Sequence, residues 1–167
     1  MNAYDFTVRL DRTPTDDEQN ALYDAGLDDA NVEIAPDGRA WVVVTRQAAT
    51  LDEAILSVVA DIRSAGLVPV GIRNEDIVNQ ADIARRTGRS RESIRLLTTG
   101  KRGPGGFPAP VGDGLYSWAQ VRRWFADYEG ASPAYDAEDD TLALADLLLR
   151  ASLLRPNASR LVELVNA

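Results

Sequence analysis

From Tyr4 to Leu10 the chain alternates, with Tyr4, Phe6, Val8 and Leu10 apolar and Asp5, Thr7 and Arg9 polar between them. That period of two predicts a half-buried strand. The pattern then changes. "TDDE" at Thr15–Glu18 is a capping box, and Ala21, Leu22 and Gly26 behind it predict a short helix over about Asp16–Ala25. "NVEI", the turn "APDG" and "RAWVVVTRQ" read as two extended runs joined in a hairpin. A second capping box, "TLDE" at Thr50–Glu53, opens a helix with Ile55, Val58, Val59 and Ile62 on one face, and Gly66 ends it. "LVPVGI" closes the region as a further strand.

The order strand, helix, strand, strand, helix, strand resembles the ferredoxin-like split βαβ arrangement and predicts an α+β domain over residues 1–74. Modules of this kind serve small-molecule sensing, RNA binding and dimerisation. RNA-binding examples place aromatics on central strands to stack bases, whereas Trp41 is the only large aromatic in the middle strands here and the segment is strongly acidic. RNA binding is therefore set aside, and sensing or dimerisation stays open.

Composition narrows the chemistry. The 167 residues are 45% hydrophobic, enough for a core, and carry a formal charge of −8. No run is long and apolar enough for a membrane span and the N-terminus lacks a signal-peptide pattern, so a cytoplasmic protein is expected. Without cysteine or histidine the chain has no disulfide, no thiolate metal site and not the commonest general base or metal ligand. No enzymatic activity and no cofactor is expected. The acid clusters Asp16, Asp17, Glu18 and Glu138, Asp139, Asp140 fall at helix starts, where the helix dipole favours them, rather than forming a magnesium site.

Against this acidic background, residues 79–102 hold seven basic side chains and only Asp82 and Glu92 as acids. A basic island in an acidic chain suits a surface aimed at phosphate. Within "ARRTGRSRESI", Ala84, Gly88 and Ile94 stand where a helix-turn-helix needs a small residue at the crossing, a left-handed turn and a core residue. Ile83 and Leu97 add core, and Ser90 can cap the second helix. "FPAPV" and "LYSW" flank the Gly112-Asp113-Gly114 turn as two short extended pieces, a wing, with Pro108 and Pro110 restricting the first to an edge. "SWAQ" at Ser117–Gln120 caps a helix in which Val121, Trp124, Phe125 and Tyr128 share helical spacing, with Arg122 and Arg123 on its other side.

On "ADIARRTGRSRESIRLL", "FPAPV" and "YSWAQVRRWF" the stretch from about 75 to 128, in a domain expected over 75–130, resembles the winged helix-turn-helix domains of the MerR and phage excisionase type. The resemblance implies a sequence-specific regulator binding double-stranded DNA, with the second helix in the major groove. By position, Arg91, Glu92 and Arg95 would face bases, while Arg86, Arg89, Thr98, Thr99, Lys101 and Arg102 would face the phosphate backbone. "KRGPGG" at Lys101–Gly106 would lengthen the approach to the wing, its glycines allowing close backbone contact with phosphate.

Residues 131–167 read as a polar linker, "ASPAYDAEDD", and C-terminal helices. "TLALADLLLRASLL" is apolar, with Asp146 and Arg150 one turn apart to support it; Pro156 should stop it, and "NASRLVELV" starts another short helix. Packing on the same chain, a homodimer seam and a partner's groove all stay open. The alternative to a DNA-binding regulator is an adaptor or antitoxin-like component that grips a protein through the acidic N-terminal half and this tail. A small-molecule effector is not identified by the sequence.

Overall fold

A computed structural model describes residues 1–130 and 137–154. Among them the protein is mixed α+β, with a four-stranded antiparallel sheet, a two-stranded sheet and six helices. No helix among them is long and apolar enough to cross a membrane. The chain divides into two compact units, Met1–Arg73 with Thr141 onward, and Asn74–Asp140. The described residues 141–154 therefore group with the first unit.

The first unit runs β1 (Asn2–Leu10), α1 (Asp16–Asp24), β2 (Ala30–Ile34), β3 (Ala40–Ala48), α2 (Leu51–Ser64) and β4 (Pro69–Ile72). The strands lie in the order β2-β3-β1-β4, every neighbouring pair antiparallel. β1 and β3 pair from Asn2↔Ala48 to Arg9↔Trp41, which puts Phe6, Val8, Val42 and Val44 on one face. These residues are buried with Ala54, Ile55, Val58, Val59 and Ile62 of α2, so the two periodicities of the sequence meet in one core. Thr15 and Glu18 form the reciprocal capping box at α1. At α2 the box is half realised, with Thr50 accepting from the Glu53 amide.

Helix α6 (Ala137–Leu153) takes in the last four residues of the expected linker, 137–140, while 131–136 lie outside the described residues. Ala137–Asp140 are its first turn, where Glu138, Asp139 and Asp140 complement the helix dipole. Further along, Leu149 joins the first unit's core, and Asp146 accepts a 2.9 Å hydrogen bond from the Ile72 amide at the β4 edge while pairing with Arg150 at 3.0 Å. A helix thus shields an edge strand that would otherwise be open to another chain. Gly71 permits the approach, since a Cβ there would lie 2.7 Å from the Asp146 carboxylate. The expected stop at Pro156 and the helix "NASRLVELV" lie outside the described residues.

The second unit comprises β5 (Ile77–Asn79), α3 (Gln80–Thr87), α4 (Arg91–Thr98), β6 (Leu115–Ser117), α5 (Trp118–Glu129) and the first turn of α6. Its core is Val78, Ile83, Ala84, Ile94, Leu97, Tyr116, Trp118, Val121 and Phe125, with Phe107 and Trp124 packed against it. The two-stranded wing expected from "FPAPV" and "LYSW" is not formed in that way. β6 pairs with β5, and across the Gly112–Gly114 turn there is one isolated bridge, Gly112↔Leu115. Phe107 explains the difference: its ring sits 4.9 Å from Trp124 and 5.7 Å from Tyr116, anchoring its segment by aromatic packing.

Candidate nucleic-acid interface

α3 begins at Asn79, whose side chain accepts from the Asp82 amide while Asp82 accepts from the Asn79 amide. It ends at Gly88, left-handed at φ 67°, and the Arg89 amide closes the turn on Ala84 O at 2.9 Å. Ser90 then caps α4 by accepting from the Ser93 amide at 3.1 Å. Ala84 and Ile94 are buried, the latter completely, so the two helices pack on the residues singled out by the sequence pattern. At α5, Ser117 accepts from the Gln120 amide, and a cap from much earlier in the chain joins it. Asp76 accepts from the Trp118 amide with its carbonyl and from the Ala119 amide with its carboxylate, both at 2.7 Å.

With the core on one side of α4, Arg91, Glu92, Arg95 and Thr99 face outward and are exposed. Arg91 makes no ion pair among the described residues. Arg95 does: its Nε donates to Glu92 at 2.8 Å and one Nη at 2.6 Å, one helical turn apart. Each charge stabilises the other, so the Glu92 carboxyl is held below its ordinary range and the Arg95 guanidinium above its own. The Thr98 and Thr99 hydroxyls donate to the Arg95 carbonyl, and Thr98 also accepts from Gln80. After α4, Lys101 and Arg102 are exposed, while their amides return to Leu96 O. The following glycine-rich turn is pinned by Trp124, whose indole N–H donates to Gly105 O at 2.9 Å.

Arg86 and Arg89 differ from this set. Arg86, 21% exposed, donates to the Glu75 carbonyl and carboxylate and lies 5.2 Å over the Trp118 ring. Arg89, 28% exposed, pairs with Glu129 and lies 5.2 Å over Phe125. Both tie α3 and its turn to the rest of the unit and are less exposed than the outward cations on and after α4. Arg122 is a further correction. Only 4% exposed and paired with Asp140, it lies within the unit, while Arg123 is the exposed member of that pair.

The candidate surface therefore consists of Arg91, Arg95 with Glu92, Thr98, Thr99, Lys101 and Arg102. No group of carboxylates among the described residues is placed to hold a metal ion. No family model, no curated protein and no solved structure matches the chain. Function is read from the chemistry of this surface.

Proposed function

We propose that the protein is a sequence-specific DNA-binding regulator that lays α4 in the major groove and sets Lys101 and Arg102 against the phosphates. The observation that carries this reading is the outward face of α4. Arg91 at the first position and Arg95 in the last turn of a short helix stand exposed opposite the buried Ile94 and Leu97, and two more exposed cations follow its end. A short helix presenting arginines along its outward face, one of them in its first turn, suits the reading of base edges. The winged reading is supported by the β5–β6 pair and the tight turn at Gly112–Leu115. The ferredoxin-like reading of the first unit is supported by its strand order, and a sensing role by a cleft of about 310 Å³ lined by Leu22, Leu27, Val32 and Val42 with Gln19 and Asn31 at its polar positions.

Fluorescence anisotropy of the full chain with a random-sequence duplex, at low and at moderate salt, tests the reading. Binding should weaken with a slope near −0.9 for each phosphate neutralised. Absence of binding at low salt would remove the reading. An adaptor that binds a protein is the second reading, favoured by the exposed leucines of α6: Leu144, Leu147, Leu148 and Leu153.

A further inference from the structure

An acid on a helix that meets phosphates needs an explanation, because an unpaired carboxylate there would be repelled. Glu92 is second in α4, where the helix dipole favours it, and both of its oxygens accept from Arg95. The manner of acceptance matters. An arginine has two forks: a side-on one, made of Nε–H and the N–H of the neighbouring Nη, and an end-on one, made of one N–H from each Nη. Glu92 engages Nε and Nη2, which is the side-on fork, at 2.8 and 2.6 Å. The end-on fork of Arg95 is left with two parallel donors and is fixed in direction by the carboxylate behind it. Two parallel donors match the N7 and O6 acceptors of guanine. Arg91 has no comparable partner among the described residues, so its direction is not set in this way.

We propose that Glu92 is a positioning residue that holds Arg95 side-on, leaving the end-on fork of Arg95 to read one guanine of the bound duplex. The inference rests on the DNA-binding reading and names the base that reading would recognise at one position. It also reassigns Glu92, which the sequence placed among base-facing residues, to a role exerted through Arg95. The pairing makes the two side chains jointly neutral, so Glu92 adds no net repulsion toward phosphate.

The test is selection of bound duplexes from a pool with a randomised core, using the full chain as wild type, Glu92→Ala, Glu92→Gln, Arg95→Lys and Glu92→Ala/Arg95→Lys. Circular dichroism establishes that each variant is folded. The wild type should enrich a motif with guanine at one position. Arg95→Lys, which removes the fork and keeps the charge, should flatten that position, a loss of roughly 5- to 150-fold in preference. Glu92→Ala should lower the same preference at least about threefold without altering the other positions, and Glu92→Gln, which keeps one acceptor, should lose less. The double variant should lose nothing beyond Arg95→Lys, because Glu92 acts only through Arg95. Three results would overturn the proposal: unchanged guanine preference in Glu92→Ala, a further loss in the double variant, or a wild-type motif without a guanine sensitive to Arg95. Failure of the wild type to retain any duplex is a separate outcome, which removes the DNA-binding reading itself and this inference with it.

Discussion

Arg46 in the first unit and Arg91 in the second show two uses of one side chain. Arg46 is 14% exposed and clasped, with its Nη atoms 3.0 Å from Asp61, 3.2 Å from Asp29 and 3.0 Å from the Gly26 carbonyl. It ties β3 to α2 and to the turn after α1, and its charge is matched locally. Arg91 stands on the exposed side of a helix with no carboxylate assigned to it among the described residues. Between these extremes, Arg86 and Arg89 come from the basic island yet behave like Arg46, each half-buried over an aromatic ring and paired with an acid. The difference teaches that a cluster of arginines in the sequence is not yet a surface. Burial and partner divide it into residues that build the fold and residues left for a ligand.

The inner side of α4 offers the largest test of that division. Ile94 is fully buried, and Ile94→Ala should cost about 2–5 kcal/mol by chemical denaturation and, on the proposed reading, lower duplex binding through unfolding. One residue on, Arg95→Ala should leave the thermal midpoint close to that of the wild type and still weaken binding. In the first unit, Arg46→Ala should lower stability by about 1.5–3 kcal/mol, as expected for lost hydrogen bonds between charged groups, with DNA affinity unchanged wherever the chain is folded. Gly88→Ala isolates a backbone effect. Nothing lies within 4 Å of the added Cβ, so the expected loss of about 1–2 kcal/mol is the cost of a left-handed conformation alone.

The smallest effect concerns pH. Arg12, by hydrogen bonding to Glu18, lowers the Glu18 pKa from 4.5 to about 2, aided by the Thr15 amide. A depressed folded-state value means the contribution is present above the ordinary carboxylate range and is lost as pH falls from about 5 toward 2. Glu18→Gln should therefore reduce the acid sensitivity of the melting midpoint in that window and leave the candidate surface on α4 unaltered.

Local patterns were legible in the sequence because they depend on neighbours a few residues apart. The alternation Tyr4 to Leu10, the box at Thr15 and Glu18, and the trio Ala84, Gly88 and Ile94 all appear where periodicity and capping chemistry put them. Contacts between distant segments were not legible. Nothing in "DIVN" announces that Asp76 caps a helix 43 residues later, nor that β6 forms its ladder with β5 and meets the nearer proline-rich piece only at an isolated bridge and the Val111–Leu115 hydrogen bond. Helical spacing pairs Asp146 with Arg150, as the structure does, but its bond to the β4 edge depends on the Gly71 backbone far away in the chain. For the candidate site, the outward positions on α4 followed from helical spacing. The inward turn of Arg86 and Arg89 did not, because Glu75, Trp118, Phe125 and Glu129 meet them only through the fold.

The most direct measurement is the salt dependence of duplex binding, by fluorescence anisotropy, for the wild type, Lys101→Ala/Arg102→Ala and Arg86→Ala. If the outward cations meet phosphates, the first variant should reduce the slope of log K against log salt by about 1.8, and Arg86→Ala should leave the slope as it was in whatever fraction remains folded. Equal slopes in the wild type and the Lys101→Ala/Arg102→Ala variant, or a reduced slope in Arg86→Ala, would contradict the account.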